Sequence, residues 1–174
     1  EKVIMADTVR RIENEVFQEC HSLVYVKLSR DLEYIGRYVF CGCFSLPSIF
    51  IPPSCGEIGA YAFSSCRKLL ILGLPQHTHL DVGALQDTLL IKKSPLDVYE
   101  NGNYDYDQEE EVIRWIQALN NEEEYALHRA CSSFNPLAEI IHALVNRQEI
   151  KAMKIKNLIG ITPSQYLAAN TFMD

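Results

Sequence analysis

The sequence has no apolar run able to cross a membrane: stretches such as Leu69 to Leu74 fall far short of the roughly 18 residues a spanning helix requires. Clustered Lys and Arg are also missing, and 16 basic against 23 acidic residues leave a formal net charge of -7. Phosphate backbones are held by grouped cations, so the composition argues against DNA or RNA as a partner. Neither a Gly-x-Gly-x-x-Gly nor a P-loop stretch occurs, and nucleotide chemistry is left without a phosphate cradle. There is no Asn-x-Ser/Thr sequon. The six cysteines do not suggest a disulfide framework, because three of them share one position of a repeat, which is a packing pattern and not a pairing pattern. Both features favour a reducing intracellular compartment over secretion. An initiator methionine is absent too: the chain opens at Glu1 in mid-motif, and the expectation is a longer protein with preceding repeats.

What is present is enough apolar material for a core. Of 174 residues, 48% are hydrophobic, which sets the chain apart from disordered sequences and suits one elongated domain or two small ones. The organising signal is self-similarity. The set Ile12, Phe17, Cys20, Leu23, Val26, Leu28 recurs as Ile35, Phe40, Cys43, Leu46, Ile49, Ile51, and again as Ile58, Phe63, Cys66, Leu69, Leu72, Leu74. Each step is 23 residues without insertion or deletion, a period that means stacked turns of a solenoid. Val3 and Met5 stand one period before Val26 and Leu28. After Pro75 the pattern decays, and Ala84, Leu85 and Leu89 to Ile91 read as a degenerate fourth unit serving as a cap.

The Leu-x-x-Ile-x-Ile stretch of each unit alternates as a short strand does. A single turn cannot bury its inward residues, but stacked turns make a continuous apolar column, with strands bonded in parallel along the array. The Phe column seals the opposite wall, so Phe17, Phe40 and Phe63 should be the most buried aromatics. Gly36 and Gly59 suit a close backbone path where the first unit has Glu13. Pro52 and Pro75 end their strands by removing a donor, a role taken by Ser29 in the first unit.

Two stretches carry a family likeness: Ile35-Gly36-x-Tyr-Val-Phe40-x-x-Cys43-x-x-Leu46-x-x-Ile49-x-Ile51-Pro52-x-Ser54 and Ile58-Gly59-Ala-Tyr-Ala62-Phe63-x-x-Cys66. They resemble the BspA-like class of leucine-rich repeats over residues 1–92, about half the chain. That resemblance implies recognition and adhesion and no conserved reaction.

If the strands stack this way, their outward columns read Val24, Pro47, Leu70; then Tyr25, Ser48, Ile71; then Lys27, Phe50, Gly73. Several are apolar without a core role, which marks a candidate partner surface carried by Tyr25, Lys27, Phe50, Leu70 and Ile71, with Phe50 and Tyr25 as anchors. The plain competitors are packing against another domain and simple surface hydrophobicity.

Residues 93–110 change character, with one Lys against six acidic residues, and read as a solvated, self-repelling linker or long loop. Beyond it, over residues 111–174, the pattern turns helical. Val112, Ile113, Ile116 and Leu119 fall at helical spacing behind acidic residues that favour a helix entrance. Further helices are expected over residues 125–131, over residues 137–145 opening at Pro136, and from a Thr162-Pro163 start through Leu167. Ala126-Leu127-His128-Arg129-Ala130-Cys131 and Gly160-Ile161-Thr162-Pro163 resemble fragments of ankyrin repeats, implying a small helical domain. With the repeat array before it, this tail is also similar to a protein group expanded in diatoms, a resemblance that supplies no reaction.

No catalytic or cofactor site can be assembled. His128 and Cys131 share a helix face as a nucleophile and its base would, but the ankyrin-like reading gives the histidine a turn to bond and the cysteine a place in the core. Cys41 and Cys43 with His77 and His79 invite zinc, yet the register makes Cys43 an inward residue and the ligand spacing is wrong. Asp97, Asn101, Asn103, Asp105 and Asp107 do not match a calcium loop. The sequence therefore points to an α/β repeat fold, a leucine-rich-repeat solenoid with short parallel strands followed by an ankyrin-like helical domain. Its expected role is a non-catalytic protein-interaction module with no nucleic acid, membrane insertion or small-molecule substrate. A secreted or cell-surface adhesion protein is the alternative.

Overall fold

In the computed structural model, the first strand of each turn lies beside the first strand of the next, and the 23-residue period of the sequence becomes the rise of a solenoid. The structure describes residues 1–94, 98–100, 102–119 and 162–170. Strands β1 (Lys2–Ile4) and β3 (Tyr25–Lys27) pair in parallel with Val3 opposite Val26, as do β5 (Ser48–Phe50) and β7 (Ile71–Gly73) with Ile49 opposite Leu72. A second row, β2 (Arg11–Ile12), β4 (Tyr34–Ile35), β6 (Glu57–Ile58) and β8 (His79–Leu80), forms a continuous four-stranded parallel ladder. Its last step, Ile58 to Leu80, is 22 residues, so the fourth turn is one residue short, which is where the sequence pattern begins to fade.

Strands β3 and β5 pack side by side without a ladder. The reason is Pro47. Its counterparts Val24 and Leu70 each donate a backbone N–H to the turn before, at 2.9 Å to Glu1 and 3.1 Å to Pro47 itself, and proline has no N–H to give.

Inward columns fill the interior as the alternation requires. Leu46, Ile49, Ile35, Ile58, Phe40, Phe63, Cys43, Cys66 and Leu69 are fully buried, and Ile12 and Leu23 nearly so. The phenyl rings of Phe17, Phe40 and Phe63 stack in register, with centroids 5.4 and 5.5 Å apart. Phe17 differs from the expectation: it and Cys20 are only half-buried, since a turn stacks on one side of them alone.

The Phe wall is held by backbone bonds running from each turn to the following one: Phe17 N–H to Val39 O, Phe40 to Ala62, and Phe63 to Ala84. Two positions per turn on this wall are left-handed: Glu15, Tyr38, Tyr61 and Gly83, then Glu19, Gly42, Ser65 and Asp87. Such a conformation costs a non-glycine residue free energy, and the next turn offsets it by accepting the N–H of Glu15, Glu19, Tyr38, Gly42, Tyr61 and Ser65. Gly36 and Gly59 serve another purpose. A Cβ on Gly59 would lie 2.8 Å from Arg37 N and Gly36 C, and one on Gly36 would meet Asn14 and Glu13 backbone below 3 Å. Glu13 has no described turn on that side to collide with.

The array closes differently from the expected linker. Its fourth turn ends in α1 (Leu89–Lys93), with Thr88 as N-cap and Leu90 and Ile91 buried. An antiparallel hairpin follows, β9 (Tyr99–Glu100) against β10 (Asn103–Tyr104), and then α2 (Tyr106–Leu119), capped by Asp105 accepting from Asp107 and Gln108 N–H. Residues 93–110 are thus not a solvated loop in their described part: Val98 and Glu109 are buried. The Glu109 carboxylate accepts the N–H of Gly83 and of Leu85, each at 2.7 Å. Those are the donors that, one turn earlier, Tyr61 and Phe63 give to the backbone of the next turn. One side chain replaces the two carbonyls of a missing turn. Gln117 adds a bond from its Nε2 to Thr78 O at 2.9 Å, and Val112, Ile113 and Ile116 seal the apolar end.

The last described element is α3 (Pro163–Asn170). It starts as the sequence suggests, with a reciprocal cap: Thr162 Oγ1 accepts Gln165 N–H at 3.2 Å, and Gln165 Oε1 accepts Thr162 N–H at 2.9 Å. The helices expected over residues 125–131 and 137–145, and nearly all of both ankyrin-like stretches, lie outside the described residues.

Candidate interaction surface

The outward side of the first strand row is where the sequence places a partner surface. Its elements bury different amounts of it. Ile4 on β1 is 61% exposed and Val24, just before β3, is 42% exposed. Tyr25, Leu70 and Ile71 are half-buried, and Lys27 is exposed. Partial burial pushes the Tyr25 phenol above its ordinary value, since the ion would lose hydration there. Tyr25, Lys27, Leu70 and Ile71 are therefore all accessible in part.

Phe50 is not. It is buried, as is Ser48 on the same side of β5, and this corrects the expectation of an exposed anchor. Helix α3 packs against β5. Periodicity within the repeat could not reveal this contact, because α3 comes from the far end of the chain.

The other walls are occupied by their own cross-turn contacts. Arg10 pairs with Glu33 at 2.7 Å and Arg30 with Asp7 at 2.5 Å, each one period apart. The Arg30 guanidinium holds the Asp7 carboxyl below its ordinary value. Arg11 lies over the Tyr34 ring, and His21, Phe44 and Arg67 form a stack, again at one-period steps. These charges are already satisfied within the wall; Ile4 and Val24 are exposed on the strand row, and Val16, Val82 and Tyr106 are exposed elsewhere.

The chemistry-bearing residues are built into the packing. Cys43 and Cys66 donate their thiols to Phe17 O at 3.2 Å and Phe40 O at 3.1 Å, the carbonyls of the turn before. Burial pushes Cys43 up to about 12 and Cys55 up to about 11. Neither is a nucleophile at neutral pH. Iodoacetamide at pH 8 should accordingly modify half-buried Cys20 and Cys41 of the native protein before Cys43, Cys55 or Cys66, as followed by peptide mapping. Early labelling of Cys66 would contradict this packing.

For the zinc candidates, His77 Nε2 lies 2.7 Å from Pro53 O and Cys43 is sealed in its column. No group of three His, Cys, Asp or Glu side chains converges among the described residues. In the acidic stretch Asp105 is spent on capping α2, while Asp97 and Asn101 lie outside the described residues, as do His128 and Cys131. Among the described residues no helix is long and apolar enough to cross a membrane.

None of the curated proteins compared with the chain matches it. Two solved structures are similar. A leucine-rich repeat protein from Bacteroides ovatus is 30% identical over 52% of this chain and 24% of its own, with a TM-score of 0.49. The leucine rich repeat protein of T. pallidum is 23% identical over 49% of this chain and 54% of its own, with a TM-score of 0.42. The chain thus spans about a quarter and about half of their lengths. The family model for the BspA type leucine rich repeat region matches residues 1–99 in six copies, and the chain, with its period, parallel ladders and stacked Phe and Cys columns, belongs to that family.

Proposed function

We propose that this protein is a non-catalytic interaction module that presents the first strand row of its repeats to a protein partner. Leucine-rich repeat proteins generally act in protein–protein interaction and are typically non-catalytic. The observation that carries the reading is the exposure of Ile4 and Val24 beside half-buried Tyr25, Leu70 and Ile71. Apolar and aromatic side chains on a rigid ladder make anchors at low entropic cost, and Lys27 supplies a polar edge. The ankyrin-like and diatom likenesses of the tail rest on its residues alone and are proposed with it.

The test is affinity capture with the whole chain. Val24→Asp combined with Tyr25→Asp should reduce recovery of a specific protein partner at least tenfold, while Arg10→Ala on another wall leaves it unchanged. Equal recovery by both variants would remove the strand row as the binding surface.

A further inference from the structure

The strand row is not evenly open. On β1 the outward Ile4 is 61% exposed, and on β3 Lys27 is exposed, yet in β5 all of Ser48, Ile49 and Phe50 are buried. Ile49 is an inward residue, so the anomaly is Ser48 and Phe50. Of the first-row strands, β5 packs against α3.

Helix α3 has the properties of a docked and not a self-sustaining element. At eight residues it is below the length at which an isolated helix persists in water, so contact with the rest of the fold must hold it. Its sequence, Pro163-Ser-Gln-Tyr-Leu-Ala-Ala-Asn170, contains no charge, which suits an apolar strand face. Of its described side chains, Pro163 is buried and Leu167 and Ala169 are half-buried. A helix of eight residues opens locally at lower free energy than a four-stranded ladder.

We propose that α3 is an internal occupant of the strand row, covering Phe50, and that a protein partner of this surface engages β5 by displacing it. This rests on the reading of the strand row as a binding surface, and names its partner chemistry: a short, uncharged, apolar helical segment like α3 itself. The completed site would join Phe50 to Tyr25 and Ile71, three anchors on neighbouring strands.

The experiment uses the whole chain carrying Ser48→Cys, whose introduced thiol is mapped by peptide after timed labelling with iodoacetamide. With α3 intact, labelling at position 48 should be slow. Removing the helix cap by Thr162→Ala with Gln165→Ala, or docking by Leu167→Asp, should speed it at least tenfold, while hydrogen exchange in β4 and β6 stays unchanged. A synthetic peptide of residues 162–170 added to the uncapped variant should slow it again. Unchanged labelling in both variants, or labelling at 48 only as fast as the ladder itself unfolds, would overturn the proposal. If labelling accelerates but partner recovery is no higher, α3 is a cover and the binding reading fails instead; a rise in both supports the two together.

Discussion

Phe40→Ala is expected to lower the free energy of unfolding by about 3–5 kcal/mol, the range for a fully buried aromatic. Phe40 has no exposed surface and lies between two parallel rings 5.4 and 5.5 Å away. Its own backbone N–H is tied to the next turn at Ala62, so the wall cannot collapse into the space without breaking the ladder that defines the repeat. Truncation leaves a cavity between Phe17 and Phe63, and the cost includes lost contacts on both faces. Phe17→Ala should cost clearly less, because Phe17 is half-buried and stacks on one ring. Denaturant titration measures both; an unchanged midpoint for Phe40→Ala would contradict the stacked column.

Glu109→Ala should cost about 3 kcal/mol, from two buried N–H groups each left unsatisfied at about 1–3 kcal/mol. The damage should concentrate where α2 meets the fourth turn, read as faster hydrogen exchange at Gly83 and Leu85 with little change at Phe40. Burial raises the Glu109 carboxyl above its ordinary value, opposed by the N–H groups of Leu85 and Gly83. The folded chain therefore holds this proton more tightly than the unfolded one. Stability from the group is complete below the unfolded carboxyl value and is lost as pH rises through the raised folded one. The stability of the wild type relative to Glu109→Gln should shrink across that interval; a difference that grows with pH would mean the carboxylate, not the acid, is the preferred buried form.

The contrast between these two residues shows what the sequence makes legible. Phe40 belongs to a column repeated at a fixed period, and both its burial and its neighbours follow from the period alone. Glu109 belongs to no period. Counted as one charge among six in an acidic stretch it suggests solvation, but the carbonyls of a following turn are absent at the end of the array, and a carboxylate is an acceptor for the N–H groups they leave. The signal that could have located it is that arithmetic of unmatched donors, with the helical spacing of Val112, Ile113 and Ile116 to bring α2 across the end.

The burial of Phe50 is hidden from the sequence for a related reason. Outward register on β5 is correct, since it alternates with Ile49, but register says nothing about an element that arrives from residues 163–170. The left-handed positions were equally hidden: Glu15, Tyr38 and Tyr61 occupy one such column, and glycine appears there only at Gly83. Gly36 and Gly59, by contrast, were legible as close-approach positions, and a Cβ at either would meet the neighbouring turn's backbone.

The most direct test of the account is a hydrogen-exchange footprint of the whole chain in complex with a captured protein partner. Protection is expected across residues 24–27, 48–50 and 70–73, with faster exchange in 163–170 as α3 leaves β5. Protection confined to the second row, at residues 11–12, 34–35, 57–58 and 79–80, with the first strand row unchanged, would contradict it.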